Sequence, residues 1–166
     1  MLAGSFRPEI AMRFLRPALL ALASLVLLAG CASGPPKRVF PPQVTVQELR
    51  LQTDGQCTAN LRIQNFSTVP MRFSRLQATL QIGGHDATTI DLDPGVSVGP
   101  GSNELVPVTF APAAGAKAGV DAAMAAGRGV RYSIDGSISS SDPGSDDEFH
   151  YQSALDPVPG LAGVLR

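Results

Sequence analysis

The chain has 166 residues, with 13 Lys or Arg against 14 Asp or Glu. Such a balance offers no basic field to attract nucleic acid. With no tryptophan, seven phenylalanines and two tyrosines, it also lacks the aromatic surface that usually floors a carbohydrate site.

The first 30 residues do not read as part of a fold. Arg13 and Arg16 precede an uncharged apolar run of 12 residues, Ala18 to Ala29. A helix needs about 20 residues to span a bilayer, so the run suits the apolar core of a signal segment. Met12 opens a more ordinary signal of the same kind. Leu28, Ala29 and Gly30 then lead into Cys31. These four residues resemble a lipobox. That resemblance implies diacylglyceryl transfer to the Cys31 thiol, cleavage before it, and a partner in the lipid bilayer. Further acylation of the new amino terminus is expected too, because one chain alone holds only marginally. Ala32, in place of Asp, resembles outer-membrane lipoproteins of Gram-negative bacteria, facing the periplasm.

Residues 1–30 hold Arg7, Arg13, Arg16 and Glu9, so the remainder carries 10 basic and 13 acidic residues, a net charge of −3. Its 136 residues are enough for one domain with its own core. With Cys31 acylated, Cys57 has no intramolecular partner. It reads as a small, partly buried strand residue, an intermolecular bridge being the alternative.

Residues 31–42 are small and Pro-rich, a spacer expected to hold the domain clear of the membrane. The domain is expected over 43–166. Val44–Leu51 is the first strand candidate, and its apolar phase slips from Val44 and Val46 to Leu49 and Leu51. Ala59, Leu61 and Ile63 then alternate with Asn60, Arg62 and Gln64, so Leu61 and Ile63 should face a core and Arg62 and Gln64 water. Met71 and Phe73 are followed by Leu76, Ala78, Leu80 and Ile82, a second slip. One-residue slips predict bulges or crossings between sheets. Thr88–Leu92, Leu105–Phe110, Val130–Ile134 and the stripe Phe149, Tyr151, Leu155 complete seven strands. Turn signals separate them at Asp54-Gly55, Gly83-Gly84, Asp93-Pro94-Gly95, Gly99-Pro100-Gly101 and Asp142-Pro143-Gly144. Ala113 to Ala126 alone lacks strand character. It predicts one short helix that Gly115 and Gly119 weaken. The expected fold class is all-β: an antiparallel sandwich of immunoglobulin or fibronectin-III-like shape, of about seven strands.

Leu61 to Phe73 (LRIQNFSTVPMRF) resembles the signature of the water-stress and hypersensitive-response (WHy) domain. That domain defines the type-2 late embryogenesis abundant (LEA) proteins. Asn65 and Pro70 match the motif, whereas Phe66 stands where the family has proline. Leu76 to Gly84 resembles the family's next strand and Gly turn, and Leu105 to Phe110 its second apolar strand. Tyr132-Ser133-Ile134-Asp135-Gly136 resembles the closing Tyr-x-Ile-x-Gly strand. The resemblance covers about 42–165. It implies a β-sandwich with a short helix, structural roles for Asn65, Pro70, Tyr132 and Gly136, and a non-enzymatic stabiliser of client proteins under desiccation.

Chemistry has little foothold in the sequence. His85 and His150 stand apart and read as exposed, and neither has neighbours at metal-ligand spacing. No nucleophile elbow, P-loop, dinucleotide fingerprint or Cys-x-x-Cys occurs, so neither a catalytic residue nor a cofactor is expected. Asp142, Asp146, Asp147 and Glu148 match no calcium loop and read as a solvated hairpin loop. Asp91 and Asp93 read as turn residues, and Asn65 as a cap on backbone groups where its strand ends. The competing expectation is an envelope interaction module that offers a sheet edge to a partner. Oligomeric state has no signature.

Overall fold

The computed structural model describes residues 36–166. The expected signal segment, with Leu28, Ala29, Gly30 and Cys31, lies outside the described residues. The compact unit runs from Lys37 to Arg166 and so takes in the end of the expected spacer. Its elements are β1 (Gln43–Leu51), β2 (Cys57–Gln64), β3 (Met71–Ile82), β4 (His85–Leu92), β5 (Val96–Val98), β6 (Asn103–Phe110), α1 (Ala114–Ala125), β7 (Val130–Asp142), β8 (Gly144–Leu155) and β9 (Val164–Leu165).

Two antiparallel sheets face each other. The smaller has the order β6-β2-β1-β9, and the larger β4-β3-β7-β8, with β5 taking the same edge of β3 beyond β4. The described residues form an all-β sandwich with one helix, as the periodicity predicts. Two short strands, β5 and β9, join the expected seven. Leu61, Ile63, Leu80 and Tyr132 all lie in the core between the sheets. Burying such side chains is the main term holding the sheets together, at about 25 cal/mol per Å² of apolar surface.

Both phase slips are bulges. The β1–β2 register shifts between Val46 and Glu48, which turns Glu48 outward and keeps Leu49 in the core. The β3–β7 register shifts around Phe73, which keeps Phe73 and Leu76 both inside despite their odd spacing. Three hairpins (β1–β2, β3–β4, β7–β8) stay within a sheet. The β3–β4 turn, Gly83-Gly84, has φ of 62° and 80°, a pair that only glycine adopts cheaply.

The helix is marginal by itself. Ala113 gives no side-chain cap, and the first turn carries no acid. Burial of Ala116, Val120 and Ala123 holds it. Gly115 has a use beyond weakening the helix, since a Cβ there would meet the His85 ring at 2.9 Å.

The polar stretches depart from expectation. Asp146, Asp147 and Glu148 lie in β8, laddered against Ser139, Ile138 and Ser137, and not in a loop. Asp91 lies in β4 and not in a turn, bonded to Arg75 at 3.2 Å and Gln77 at 3.1 Å. The start of β8 keeps its backbone ladder without apolar alternation, so periodicity misses it, whereas Asp91 falls inside the expected strand Thr88–Leu92. Asp93 does close a turn, its carboxylate accepting from the Gly95 amide at 2.8 Å.

Candidate functional site

The end where β1 begins is built around Asn65. Here the β2–β3 connection (65–70) and the β5–β6 connection (99–102) both cross between sheets. Asn65 is fully buried. Its Nδ2 donates to the carbonyls of Val69 (2.8 Å), Val98 (3.0 Å) and Gly99 (3.2 Å). Its Oδ1 accepts from the Ser67 amide at 2.8 Å, and its own N–H donates to Ser102 O at 2.9 Å. One side chain thus satisfies the backbone of two crossings that would otherwise bury unpaired carbonyls. Beside it the incoming chain is pinned. The amides of Arg38 and Phe40 donate to the hydroxyls of Thr68 (2.8 Å) and Ser67 (2.9 Å), and Thr68 N–H donates to Arg38 O at 2.9 Å. Pro70 is exposed at the end of this connection, and Phe66 is 48% exposed within it.

Tyr132 and Gly136 lie on β7. Tyr132 crosses the core to the Val46 backbone, accepting from its N–H at 3.2 Å and donating to its carbonyl at 3.3 Å. Burial pushes its phenol up to about 12. Gly136 pairs with Ala78, and a Cβ there would lie 2.7 Å from the Ala78 Cα and closer still to the Gln77 carbonyl oxygen. The demand for glycine is steric, set by the neighbouring strand.

The outer face of the larger sheet is polar row by row. Across the strands run Asp91, Gln77, Ser137 and Glu148, then Thr89, Thr79, Asp135 and His150. His150 Nδ1 contacts Asp135 Oδ1, both side chains being about half exposed. His85 is exposed at the start of β4. Among the described residues no group of three or more His, Cys, Asp or Glu is placed to hold a metal ion. Cys57 is buried at the start of β2, and burial pushes its thiol up, away from the thiolate that reacts or ligates.

The outer face of the smaller sheet holds a charge cluster that sequence reasoning missed. Glu48 is 5% exposed, and accepts from Arg166 (Nη2 2.7 Å, Nε 2.8 Å) and from Arg50 at 3.1 Å. The Arg166 hydrogen bond, set against desolvation, holds the carboxylate below its ordinary range, with Arg50 adding to it. Arg62, expected in water, is half-buried beside this cluster, with its Nη2 donating to Gln64 at 3.2 Å. Glu48 and Arg166 are 118 positions apart, so no local signal marks the pair.

Among the described residues no helix is long and apolar enough to cross a membrane. The chain matches no protein-family model and no curated protein. It is similar to several solved structures. AT1g01470 from Arabidopsis thaliana aligns at 8% identity and a TM-score of 0.53, over 80% of this chain and 93% of that one. A protein from Archaeoglobus fulgidus aligns at 17% identity and a TM-score of 0.38, over 73% and 98%. At2g46140.1, which bears the description late embryogenesis abundant (LEA) protein, aligns at 14% identity and a TM-score of 0.45, over 93% and 94%. At these identities only the first likeness has weight, and it is one of fold: the sandwich of this chain is shared with the Arabidopsis protein AT1g01470.

Proposed function

We propose that the chain is a lipid-anchored protein of the cell envelope, held by acylated Cys31, that stabilises other proteins non-enzymatically when water is withdrawn. The observation that carries the stabiliser reading is the outer face of the larger sheet. Its rows of amide, hydroxyl and carboxylate groups, such as Gln77, Thr79, Ser137 and Asp135, stand one strand spacing apart, about 4.8 Å. A surface of this kind replaces lost water with hydrogen bonds to many partners, each weak. The WHy-like residues Leu61 to Phe73 and the fold shared with AT1g01470 support the same reading. The anchor rests on Leu28 to Cys31.

The test is protection. Unrelated enzymes dried or frozen with the purified full chain should keep more activity than with an equal mass of albumin. Equal performance would reject the stabiliser. A second reading, a docking module, draws on β4, an edge strand of the larger sheet. In that case a single stoichiometric envelope partner should be recovered, and a proline placed within Thr88–Leu92 should abolish its binding without unfolding the domain.

A further inference from the structure

Among the described residues five large hydrophobic side chains stand exposed: Val39, Phe40, Phe66, Leu105 and Leu161. Three of them gather at one end. Val39 and Phe40 belong to the incoming segment whose backbone is pinned to Ser67 and Thr68, and Phe66 is the residue next to Ser67. They are 48%, 44% and 48% exposed. Leu105 follows two rows into β6, where it pairs with Arg62, while Leu161 lies at the opposite end, near the last residue of β1. Scattered single hydrophobics need no explanation, whereas a cluster rimmed by charge marks an interaction surface.

The occupant follows from where the cluster sits. It is the end of the domain that the anchor segment enters. Cys31 precedes Lys37 by six positions, a reach of roughly 20 Å even when fully extended. Lys37 and Arg38, both exposed, stand immediately beside Val39 and Phe40. Apolar side chains beside lysine and arginine suit the headgroup boundary of a bilayer, where rings bury and cations meet phosphate. The β7–β8 turn, with Asp142 opposite Arg72, lies at the same end and offsets part of that positive charge. Apolar insertion therefore dominates, and dependence on anionic lipid should be slight.

We propose that the domain docks end-on onto the lipid surface through Val39, Phe40 and Phe66, and so does not float clear of it on a spacer. This rests on the anchor reading above, and its test separates the two. The chain has no tryptophan, so a single one reports its own depth. Full-length Phe66→Trp and Leu161→Trp chains are reconstituted into phosphatidylcholine vesicles whose acyl chains carry bromine. Emission from the Phe66→Trp chain should shift to shorter wavelength and be quenched, while the Leu161→Trp chain, β1's length away at about 30 Å, stays bright. Adding Phe40→Ser to the Phe66→Trp chain should reverse most of the quenching. Vesicle-bound protein with neither chain quenched overturns the docking and leaves the anchor standing. Quenching of both chains overturns the end-on orientation. The mass of the Cys31 peptide reads the anchor separately: an unacylated Cys31 rejects that reading, and quenching of the Phe66→Trp chain still decides the docking.

Discussion

The Tyr132 hydroxyl grips both backbone groups of Val46, taking its N–H at 3.2 Å and giving its proton to the carbonyl at 3.3 Å. Tyr132 belongs to the larger sheet and Val46 to the smaller, just before the β1 bulge. On the side of β1 away from β2, β9 pairs only with Leu49 and Arg50, so the phenol acts where that strand does not reach.

Tyr132→Phe should therefore cost about 1–3 kcal/mol, the penalty for burying unmet backbone groups. The pH dependence has a definite sign. Burial raises the folded phenol from its ordinary 10 to about 12. The neutral form is favoured in the fold, so its stabilisation is complete below pH 10 and is lost as pH rises through about 12. Urea unfolding at increasing alkaline pH should show a steeper decline for the wild type than for Tyr132→Phe.

Asn65→Ala should leave the carbonyls of Val69, Val98 and Gly99 without their donor. A loss of about 1–3 kcal/mol is expected. Hydrogen exchange should quicken in 65–70 and 98–102 first. Asn65→Asp should be at least as harmful, because it sets a carboxylate against three carbonyl oxygens. Rescue by Asp would show that the acceptor, and not the amide donor, is what matters.

Gly136→Ala should destabilise by about 1–3 kcal/mol, since the added Cβ meets main chain that cannot swing away. Thermal melting reads this directly. An unchanged melting temperature would mean that β3 and β7 lie further apart than the geometry has them.

Glu48→Gln should cost about 1 kcal/mol at neutral pH, limited because Arg50 and Arg166 remain half exposed. The Glu48 carboxylate titrates below its ordinary value in the fold, so its contribution is present above that value and is lost as pH falls through the folded one. The wild type should thus lose more stability than Glu48→Gln on acidification below about 4.5.

Cys31→Ser should release the protein from its membrane or mislocalise it. An unprocessed signal segment with no change in the protein's position would reject the lipid anchor.

By itself the sequence determined which face of β2, β3, β7 and β8 turns inward, because alternation records burial residue by residue. It also located two slips in that alternation, at Val46–Glu48 and around Phe73, which prove to be bulges and not crossings between sheets, but not the third register shift, between Leu80 and Gln81 against β4. It did not show how far β7 and β8 run, because a ladder through Ser139, Asp146 and Asp147 is held by backbone bonds that leave no side-chain pattern. Other features were decided only by the tertiary structure. The carbonyls that Asn65 holds at Val98 and Gly99 lie more than 30 positions away, the Glu48–Arg166 pair spans 118, and Phe66 comes beside Val39 and Phe40 through bonds from Ser67 and Thr68. Such contacts exist only once the sheets have closed on each other. Period two says that a side chain is buried or wet, and carries no information about which distant backbone will stand across from it.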